Sequence, residues 1–440
     1  MQLDELKTYN WTECDKCPTP VHEHLSMPTE PPIHPRFAQA ALETALSDTP
    51  VVLVHGPRQC GKTTLARIVG DKLGYGYYTF DDEVTLGAAL DDPIGFVDEL
   101  PERVILDEIQ RAPTLFRTLK LVVDRRRVPG RFLLTGSSNV LLMPALSDSL
   151  AGRMATLRLY PLAQCEIEGR APGFLETLFS GGFKVETHAR LGSELAHRIA
   201  AGGYPAAIAR DDERRRTAWY ADYVDSLVQR DVLDMSRIQS LESLPRLLSM
   251  AAGQTATLLN VSDLAGPFHL SRPTIHEYMT LLERLFLVER LGAWHTNELS
   301  RLIKTPKLHM GDTGLTCALL GISAEELAAD RPLLGRLLET FVYQELKREA
   351  SWNFPDVRFY HYRDKDQYEV DIVLEKGRSK IAGVEVKASA TVTTSDFKGL
   401  KRLRDAAGDR FAGGVVLYDG TAAVPFGEGL HAVPIRRLWE

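Results

Sequence analysis

The chain has 440 residues, of which 44% are hydrophobic and 25% are charged, and its formal net charge at pH 7 is −7. This length exceeds that of one ordinary domain, and the composition excludes a chain that is disordered throughout. The negative net charge excludes the overall basic balance that drives non-specific binding to nucleic acid. Any contact with nucleic acid must therefore come from a local basic patch.

The sequence contains no run of about 18 consecutive apolar residues, so it predicts no membrane-spanning helix. The N-terminal residues lack the charged and then apolar pattern of a secretion signal. The five cysteines are odd in number and widely scattered, unlike those of a disulfide framework: Cys14, Cys17, Cys60, Cys165 and Cys317. We expect a cytoplasmic protein with reduced thiols and no membrane partner.

The first 33 residues are polar and run into the proline-rich stretch MPTEPPIHP, which predicts an extended N-terminal arm. Four zinc-ligand side chains lie in this arm, namely Cys14, Cys17, His22 and His24. The gap between the cysteine pair and the histidine pair is far shorter than in zinc-finger modules. The sequence leaves zinc binding by these four residues open.

Short apolar segments alternate with helix-like segments between Thr49 and Pro161. Apolar runs separated by helical patterns predict an α/β fold, in which helices cover both faces of a parallel sheet. From residue 165 to about residue 310 the pattern is mostly helical. The last hundred residues return to mixed strands and helices, with strands predicted at GVEVKA and GGVVLY.

The segment from Gly56 to Thr63 matches the phosphate-binding pattern G-x-x-x-x-G-K-[ST], and the apolar run VVLVH before it predicts the required strand. Backbone N–H groups of such a loop, and the start of the helix predicted from Lys62 through Leu73, bind phosphates. Lys62 should contact the β- and γ-phosphates of ATP, while Thr63 offers its hydroxyl to Mg²⁺. The predicted nucleotide-binding residues are Gly56, Pro57, Arg58, Gln59, Cys60, Gly61, Lys62, Thr63 and Thr64.

A second motif, RVILDE, follows the phosphate loop. Its three apolar residues predict a buried strand that delivers Asp107 to the carboxyl end of the sheet, where the carboxylate can hold the Mg²⁺ shell. Glu108 can then polarise the water that attacks the γ-phosphate. The two motifs in this order predict an ATP-binding protein with ATPase activity.

The next apolar run, RFLLTGSSN, predicts a strand that ends in polar side chains. We expect Ser138 or Asn139 to sense the γ-phosphate, the alternative being that both residues only cap the next helix. Arg153, in LAGRMATLRLYPL, is a candidate arginine finger for the nucleotide of a neighbouring subunit, the alternative being an ordinary surface arginine. A finger requires a homo-oligomer, at least a transient one.

The order of these motifs resembles that of the bacterial AAA-type ATPases that carry a C-terminal domain of unknown function. The likeness rests on the phosphate loop, LDEIQ, LLTGSSN, and LAGR before a strand and Pro161. It extends over nearly the whole chain, including GGYP at residues 202–205 and QRD at residues 229–231. The resemblance implies a P-loop ATPase domain and favours a winged-helix module in the middle of the chain.

The middle of the chain has the outline of a helix-turn-helix. A helix breaks at Gly266 and Pro267, and a second helix opens with Ser271 as its N-cap and Pro273 in its first turn. The stretch LVERLGAWHTNELSRLIKTPKLHMGD can follow as a wing. Residues 255–310 contain six Lys and Arg against five Asp and Glu, a weak footprint for a duplex binder. Contact with DNA and a role in protein packing both remain open.

The C-terminal sequence EVDIVLEKGRSKIAGVEVK predicts two alternating strands around a turn at residues 377–378. In a symmetric hairpin Asp371 faces Glu385, and side-chain alternation places Lys387 on the same face as Glu385. Two carboxylates and a lysine can hold Mg²⁺ and orient a water against a phosphodiester. The alternative is a surface hairpin with an ordinary ion pair between Glu369 and Lys387.

This set resembles the core of the PD-(D/E)XK nucleases. The resemblance implies that Asp371, Glu385 and Lys387 are catalytic, and that Glu339 is the helix acid that holds metal together with Asp371 and Glu385. Asp371 follows Val370, so the proline that gives the superfamily its name is absent.

We therefore predict an α/β chain in four parts. They are a polar arm at residues 1–33, a P-loop AAA-type ATPase core at 34–165, a helical and winged-helix-like region at 166–325, and a nuclease-like domain at 326–440. One hypothesis is an Mg²⁺-dependent ATPase coupled to a nuclease-like domain that acts on DNA or RNA. The other is an ATP-dependent switch or scaffold whose inactive nuclease-like domain recognises a partner.

Overall fold

The computed structural model describes residues 33–137, 150–227, 229, 243–266 and 271–440. Residues His34–Glu440 form one compact unit. The four candidate zinc ligands of the N-terminal arm, Cys14, Cys17, His22 and His24, lie outside the described residues, as do Ser138 and Asn139. None of the helices in the described ranges has both the length and the apolar composition of a membrane span.

Five parallel strands form the first sheet, which confirms the predicted parallel α/β architecture. In chain order they are β1 (Val51–Gly56), β2 (Gly76–Thr79), β3 (Val104–Asp107), β4 (Phe132–Ser137) and β5 (Met154–Arg158). Their order across the sheet is β2-β3-β4-β1-β5. β1, β3 and β4 are buried along their whole length, which explains why their sequences are continuous apolar runs.

Five helices accompany this sheet: α1 (Ala38–Asp48), α2 (Lys62–Leu73), α3 (Glu83–Asp91), α4 (Pro93–Asp98) and α5 (Leu115–Arg125). Alternate residues of β1 point to opposite faces of the sheet. Val51 and Leu53 lie in one core with residues of α5, whereas Val52 and Val54 lie in a second core with residues of α1 and α2. Each face of the sheet therefore has its own core.

Short elements fill the middle of the chain. The helices are α6 (Gln164–Glu168), α7 (Phe174–Ser180), α8 (Ser193–Ala201), α9 (Pro205–Ile208), α10 (Glu213–Leu227), α11 (Ser243–Gly253), α12 (Val261–Ala265), α13 (Arg272–Arg284), α14 (Glu298–Ile303), α15 (Thr313–Leu320) and α16 (Ala324–Ala329). The strands are β6 (Glu186–Thr187), β7 (Thr257–Leu258), β8 (Val288–Leu291) and β9 (Lys307–Met310).

The predicted second helix of the helix-turn-helix is α13. Ser271 caps it by accepting a hydrogen bond from the backbone N–H of Thr274, and proline occupies its first turn, as predicted. β8 and β9 are antiparallel and form a three-stranded sheet with β7, in the order β7-β9-β8.

The C-terminal part consists of a long helix, a second sheet and one further α-helix. The helices are α17 (Arg331–Asn353) and α18 (Lys398–Ala407), and the strands are β10 (Val357–Arg363), β11 (Glu369–Lys376), β12 (Lys380–Lys387), β13 (Phe411–Tyr418), β14 (Ala422–Pro425) and β15 (Leu430–Pro434). The sheet order is β10-β11-β12-β13-β15-β14-β6. In the β11–β12 hairpin Ile372 lies opposite Val384, which is the register of the predicted symmetric hairpin.

The first part of the region assigned to residues 166–325 packs with the C-terminal sheet. Phe174 and Ile199 share one core with Ile372, Val384 and Val415, and β6 forms an edge of the same sheet. The helical pattern of these residues gave no indication of which core they join.

Glu289 joins three parts of the chain at one buried point. Its carboxylate, on β8, lies 2.5 Å from the guanidinium of Arg158 on β5 and 2.5 Å from Nζ of Lys347 on α17. Burial opposes the charged form, but the two cations outweigh it and lower the pKa of Glu289. The carboxylate therefore stays ionised and connects the first sheet, the three-stranded sheet and α17.

Candidate functional site

The phosphate-loop motif lies between β1 and α2, as predicted. Gly56 has a φ of 151°, and a Cβ atom there would lie 2.1 Å from the carbonyl oxygen of Leu159. Gly61 has a φ of 97° immediately before α2 begins. Both positions require glycine, because other side chains are strained in this backbone conformation.

Lys62, the first residue of α2, is buried and folds back onto the loop. Its Nζ donates hydrogen bonds to the carbonyl oxygens of Gly56 at 3.2 Å and Pro57 at 2.8 Å. The ammonium group is thus held at the loop by backbone carbonyls, acceptors that phosphate oxygens can replace.

Thr63 and Asp107 meet at the carboxyl ends of β1 and β3. The Thr63 hydroxyl donates to Oδ1 of Asp107 at 2.9 Å, and the Thr135 hydroxyl donates to the same oxygen. The Tyr77 hydroxyl donates to Oδ2 at 2.9 Å. Burial and the neighbouring carboxylate raise the pKa of Tyr77 to about 12, so its hydroxyl remains a donor at neutral pH.

The oxygens of Thr63 and Asp107 fit a magnesium ion. Mg²⁺ binds oxygen ligands octahedrally at about 2.0–2.1 Å, which separates neighbouring ligand oxygens by about 2.9 Å. The hydroxyl of Thr63 and Oδ1 of Asp107 are already 2.9 Å apart. These two residues would hold the ion that a P-loop site implies.

Glu108 follows Asp107 and has a left-handed backbone with a φ of 57°. Its Oε2 accepts hydrogen bonds from the Ser137 hydroxyl at 3.0 Å and from the Gln110 side-chain amide. Its backbone N–H donates to the Thr135 hydroxyl at 3.3 Å. The carboxylate is thus oriented beside Asp107 by residues of β4 and of the turn after β3.

Four polar residues at this site were not predicted from the sequence, namely Tyr77, Gln110, Thr135 and Ser137. Thr135 and Ser137 occupy alternate positions of β4, so both side chains lie on one face of the sheet. That alternation was a readable signal. Tyr77 and Gln110 had no comparable signal.

Arg36, two residues before α1 begins, also contacts the loop and was not predicted. Its guanidinium donates to the carbonyl oxygens of Cys60 at 2.7 Å and Tyr160 at 2.6 Å. It also forms an ion pair with buried Glu166 at 3.0 Å. Arg36 thus connects the loop to the chain that follows β5.

Arg153 lies in the turn before β5 and pairs with Asp124, at 2.5 Å and 3.0 Å. β5 runs parallel to β1, so its first residue lies at the amino ends of the strands. The phosphate loop follows the carboxyl end of β1, at the other end of the strands. A strand of this length spans about 15 Å. Arg153 therefore does not join the phosphate loop of its own chain.

The predicted C-terminal residues come together in one buried cluster, which we call the carboxylate cluster: Glu339 of α17, Asp371 of β11, and Glu385 and Lys387 of β12. Lys387 Nζ lies 2.7 Å from Oε1 of Glu385, and the backbone N–H of Val386 donates to Oδ2 of Asp371 at 3.0 Å. Glu369 pairs with Arg363 at 3.0 Å, not with Lys387.

Lys307 of β9 also enters the carboxylate cluster and was not predicted. Its Nζ lies 2.8 Å from Oε1 of Glu339 and 3.1 Å from Oδ1 of Asp371. Among the described residues, no group of three or more His, Cys, Asp and Glu side chains is arranged to hold a metal ion. As placed, the cluster does not fit a divalent cation, because the Lys307 ammonium stands between two of the carboxylates.

The charged groups of the carboxylate cluster alter one another's pKa values. Burial and the Asp371 carboxylate raise the pKa of Glu385, because both disfavour a second negative charge there. Burial would raise the pKa of Asp371 too, but Lys307 and Lys387 outweigh it and lower that pKa. Asp371 is therefore the carboxylate that the two lysines keep ionised.

Three segments of the chain match known protein families. Residues 48–168 match an AAA domain, residues 192–326 match a domain of unknown function (DUF8612), and residues 334–438 match a domain of unknown function (DUF4143). The AAA domain contains the phosphate loop, Asp107 and Glu108.

The uncharacterized protein Rv2008c of Mycobacterium tuberculosis is 30% identical over 437 residues, a match that covers 97% of this chain and 90% of that protein. The chain belongs to the Rv2008c family. The uncharacterized protein MJ1544 of Methanocaldococcus jannaschii is 23% identical over 421 residues, which covers 91% of this chain and 89% of that protein.

The Walker-type ATPase PABY2304 of Pyrococcus abyssi, a solved structure, is 15% identical and covers 64% of this chain and 94% of its own, with a TM-score of 0.37. The AAA-domain match and the parallel sheet show that this member of the Rv2008c family carries an ATPase-like P-loop domain of the AAA type. Its C-terminal residues 334–438 match a domain of unknown function.

Proposed function

We propose that this member of the Rv2008c family binds Mg²⁺ and ATP at the phosphate loop and hydrolyses the nucleotide to ADP and phosphate. The strongest support is the hydrogen bond of 2.9 Å from the Thr63 hydroxyl to Oδ1 of Asp107, beside Lys62. The contact gives two oxygen ligands at the edge of the sheet where the loop ends. Mg²⁺, when bound there, neutralises charge on the phosphate oxygens.

The residues of the chain supply the other steps. Lys62 exchanges the carbonyls of Gly56 and Pro57 for oxygens of the β- and γ-phosphates. Glu108 accepts a proton from a water as the water oxygen bonds to the γ-phosphorus and the bond to the β,γ-bridging oxygen breaks. Two donors on one oxygen of Glu108, from Ser137 and Gln110, orient the carboxylate for this role.

Arg153 is proposed to act on the nucleotide of a neighbouring copy. Arg153 lies at the amino ends of the strands, whereas the phosphate loop of its own chain lies at their carboxyl ends. This position supports a role between subunits, because an arginine there cannot reach the nucleotide of its own chain. The ion pair with Asp124 holds the guanidinium in one position on the isolated chain. The proposal therefore includes a homo-oligomer that forms at least transiently.

Phosphate release from ATP, measured across a magnesium titration, tests the proposed reaction. We expect turnover to require Mg²⁺ and to be lost in Lys62→Ala, together with binding of a fluorescent ATP analogue. The matched control is Lys72→Ala, because Lys72 is an exposed lysine of the same helix. Normal ATP hydrolysis by Lys62→Ala would show that the phosphate loop is not the active site.

The middle part is proposed to be a winged-helix module. The helices α12 and α13, followed by the antiparallel pair β8 and β9, support this interpretation. Its nearly balanced charge gives no basic surface from composition alone, so DNA or RNA contact by this module is left to experiment.

The second candidate function belongs to the carboxylate cluster. The convergence of Glu339, Asp371, Glu385 and Lys387 supports the resemblance to PD-(D/E)XK nucleases and a nuclease-like domain that acts on DNA or RNA. The position of Lys307 supports the other hypothesis, an inactive domain that recognises a partner while the ATPase acts as a switch.

Cleavage assays separate these two roles. Labelled single-stranded, duplex and branched DNA and RNA are incubated with Mg²⁺ or Mn²⁺, with and without ATP. Cleavage that disappears in Asp371→Ala would establish the nuclease. Absence of cleavage in every condition, alongside normal ATP hydrolysis, would favour the switch.

A further inference from the structure

Lys307 reaches the carboxylate cluster from another part of the chain. It lies within the segment that matches DUF8612, whereas Glu339 and Asp371 lie within the segment that matches DUF4143. The Lys307 side chain is 7% exposed, and its Nζ contacts both carboxylates. The cation that neutralises the cluster is therefore supplied by the neighbouring region.

We propose that Lys307 is an internal cation that keeps a divalent metal ion out of the carboxylate cluster, and that withdrawal of Lys307 opens a metal site there. This inference rests on the proposed nuclease-like role of the C-terminal domain and is independent of the ATPase. The ammonium group stands where an ion bridging Glu339 and Asp371 would bind. A lysine cation and a divalent cation repel each other and cannot share this position.

Two buried polar atoms support a second occupant of the cluster. Oε2 of Glu385 is buried and has no hydrogen-bond partner, and Glu385 as a whole is 9% exposed. Nε2 of His309 is also buried without a partner, and it lies 3.9 Å from Oε1 of Glu339. Buried polar groups normally have partners. Lys307 contacts neither of these two atoms, so both are free to bind a further ligand in the cluster.

The chemistry of the cluster favours a divalent cation over other ligands. Carboxylate oxygens are the preferred ligands of Mg²⁺ and Mn²⁺. Lys307 and His309 are two residues apart on β9, so both side chains lie on one face of the strand.

Mn²⁺ binding to the full chain without nucleotide tests the proposal. Free Mn²⁺ is measured by electron paramagnetic resonance for the wild type, Lys307→Met, Lys307→Gln and Lys307→Arg. We expect Lys307→Met and Lys307→Gln to bind one Mn²⁺ more than the wild type does. The Kd of the wild type for Mn²⁺ at this additional site should be at least about tenfold higher. Lys307→Arg retains the cation and should behave like the wild type. Adding Asp371→Asn to Lys307→Met should abolish the new site.

Thermal unfolding provides a second readout if removal of Lys307 weakens the fold. Without Lys307 the carboxylates repel each other, so Mn²⁺ should raise the Tm of Lys307→Met by more than it raises the wild-type Tm. Equal Mn²⁺ binding and equal Tm shifts in the wild type, Lys307→Met and Lys307→Gln would overturn the proposal.

Two further assays separate this inference from the proposed functions. ATP hydrolysis by the Lys307 variants should equal that of the wild type and shows that the protein is folded. Mn²⁺ binding by Lys307→Met without cleavage of labelled DNA or RNA would support the exclusion of metal by Lys307 and count against the nuclease. Absence of the additional Mn²⁺ in variants that hydrolyse ATP normally would overturn the inference alone.

Discussion

The Thr63 hydroxyl donates a 2.9 Å hydrogen bond to Oδ1 of Asp107, a residue 44 positions further along the chain. The bond joins the first turn of α2 to the carboxyl end of β3. It depends on the parallel sheet, which brings the ends of β1, β3 and β4 to one edge. The phosphate loop, the magnesium ligands and Glu108 converge at these carboxyl ends.

Substitution of Thr63 tests the magnesium ligand. Thr63→Val keeps the shape of the side chain and removes the hydroxyl, so we expect turnover to fall by about 100-fold or more. Thr63→Ser keeps the hydroxyl and should remain within a few-fold of the wild type. Phosphate release is measured over a range of Mg²⁺ concentrations. Equal turnover of the valine and serine variants would exclude the hydroxyl as a ligand.

If Arg153 acts on the nucleotide of a neighbouring copy, ATP turnover should depend on protein concentration. Turnover per chain should rise as copies associate, and Arg153→Ala should lower the turnover of the associated protein by about 1,000-fold. Arg127→Ala is the matched control, because Arg127 is an exposed arginine near the same edge of the sheet. Sedimentation in parallel measures association. A strictly monomeric enzyme with constant turnover per chain would contradict the finger.

Glu349 predicts how stability changes with pH. Its Oε1 accepts a hydrogen bond from the backbone N–H of Leu175 at 2.9 Å, and burial raises its pKa from the ordinary 4.5 to about 7. Because the folded-state pKa is the higher one, the folded chain holds this proton more strongly. Stability is therefore lost as the pH rises above about 4.5, and the loss is complete above about 7.

Glu349→Gln removes this titration and keeps an oxygen for Leu175. We expect the stability of the variant relative to the wild type to increase between pH 5 and pH 8, by up to about 3 kcal/mol. Thermal unfolding of both proteins at the two pH values measures the difference, in which groups common to both cancel. A difference that does not change with pH would show that Glu349 is not protonated near pH 7.

Local patterns predicted the elements that carry the chemistry. The strand that ends at Gly56 and the helix from Lys62 to Leu73 are confirmed, because the phosphate-loop pattern prescribes both backbone conformations. The hairpin register around Ile372 and Val384 is confirmed as well. Alternation and a short turn determine such a register without any distant contact.

Contacts between distant segments were not predictable in the same way. Lys307 is 32 residues before Glu339 and 64 before Asp371, and its position in the cluster depends on how β9 packs against α17 and β11. Arg36 likewise contacts Glu166 over 130 residues of chain. A single lysine or arginine in a sequence carries no periodic signal, so these contacts required the three-dimensional structure.

Comparison of the wild type with Glu108→Gln in a single-turnover experiment tests the ATPase most directly, with ATP binding and ATP hydrolysis measured on the same samples. We predict that Glu108→Gln binds ATP within a few-fold of the wild type and hydrolyses it about 100-fold more slowly or slower still, because the carboxylate no longer accepts the proton of the attacking water. Glu102→Gln, at an exposed acid before β3, should hydrolyse ATP like the wild type. Unchanged hydrolysis by Glu108→Gln would contradict the proposed active site.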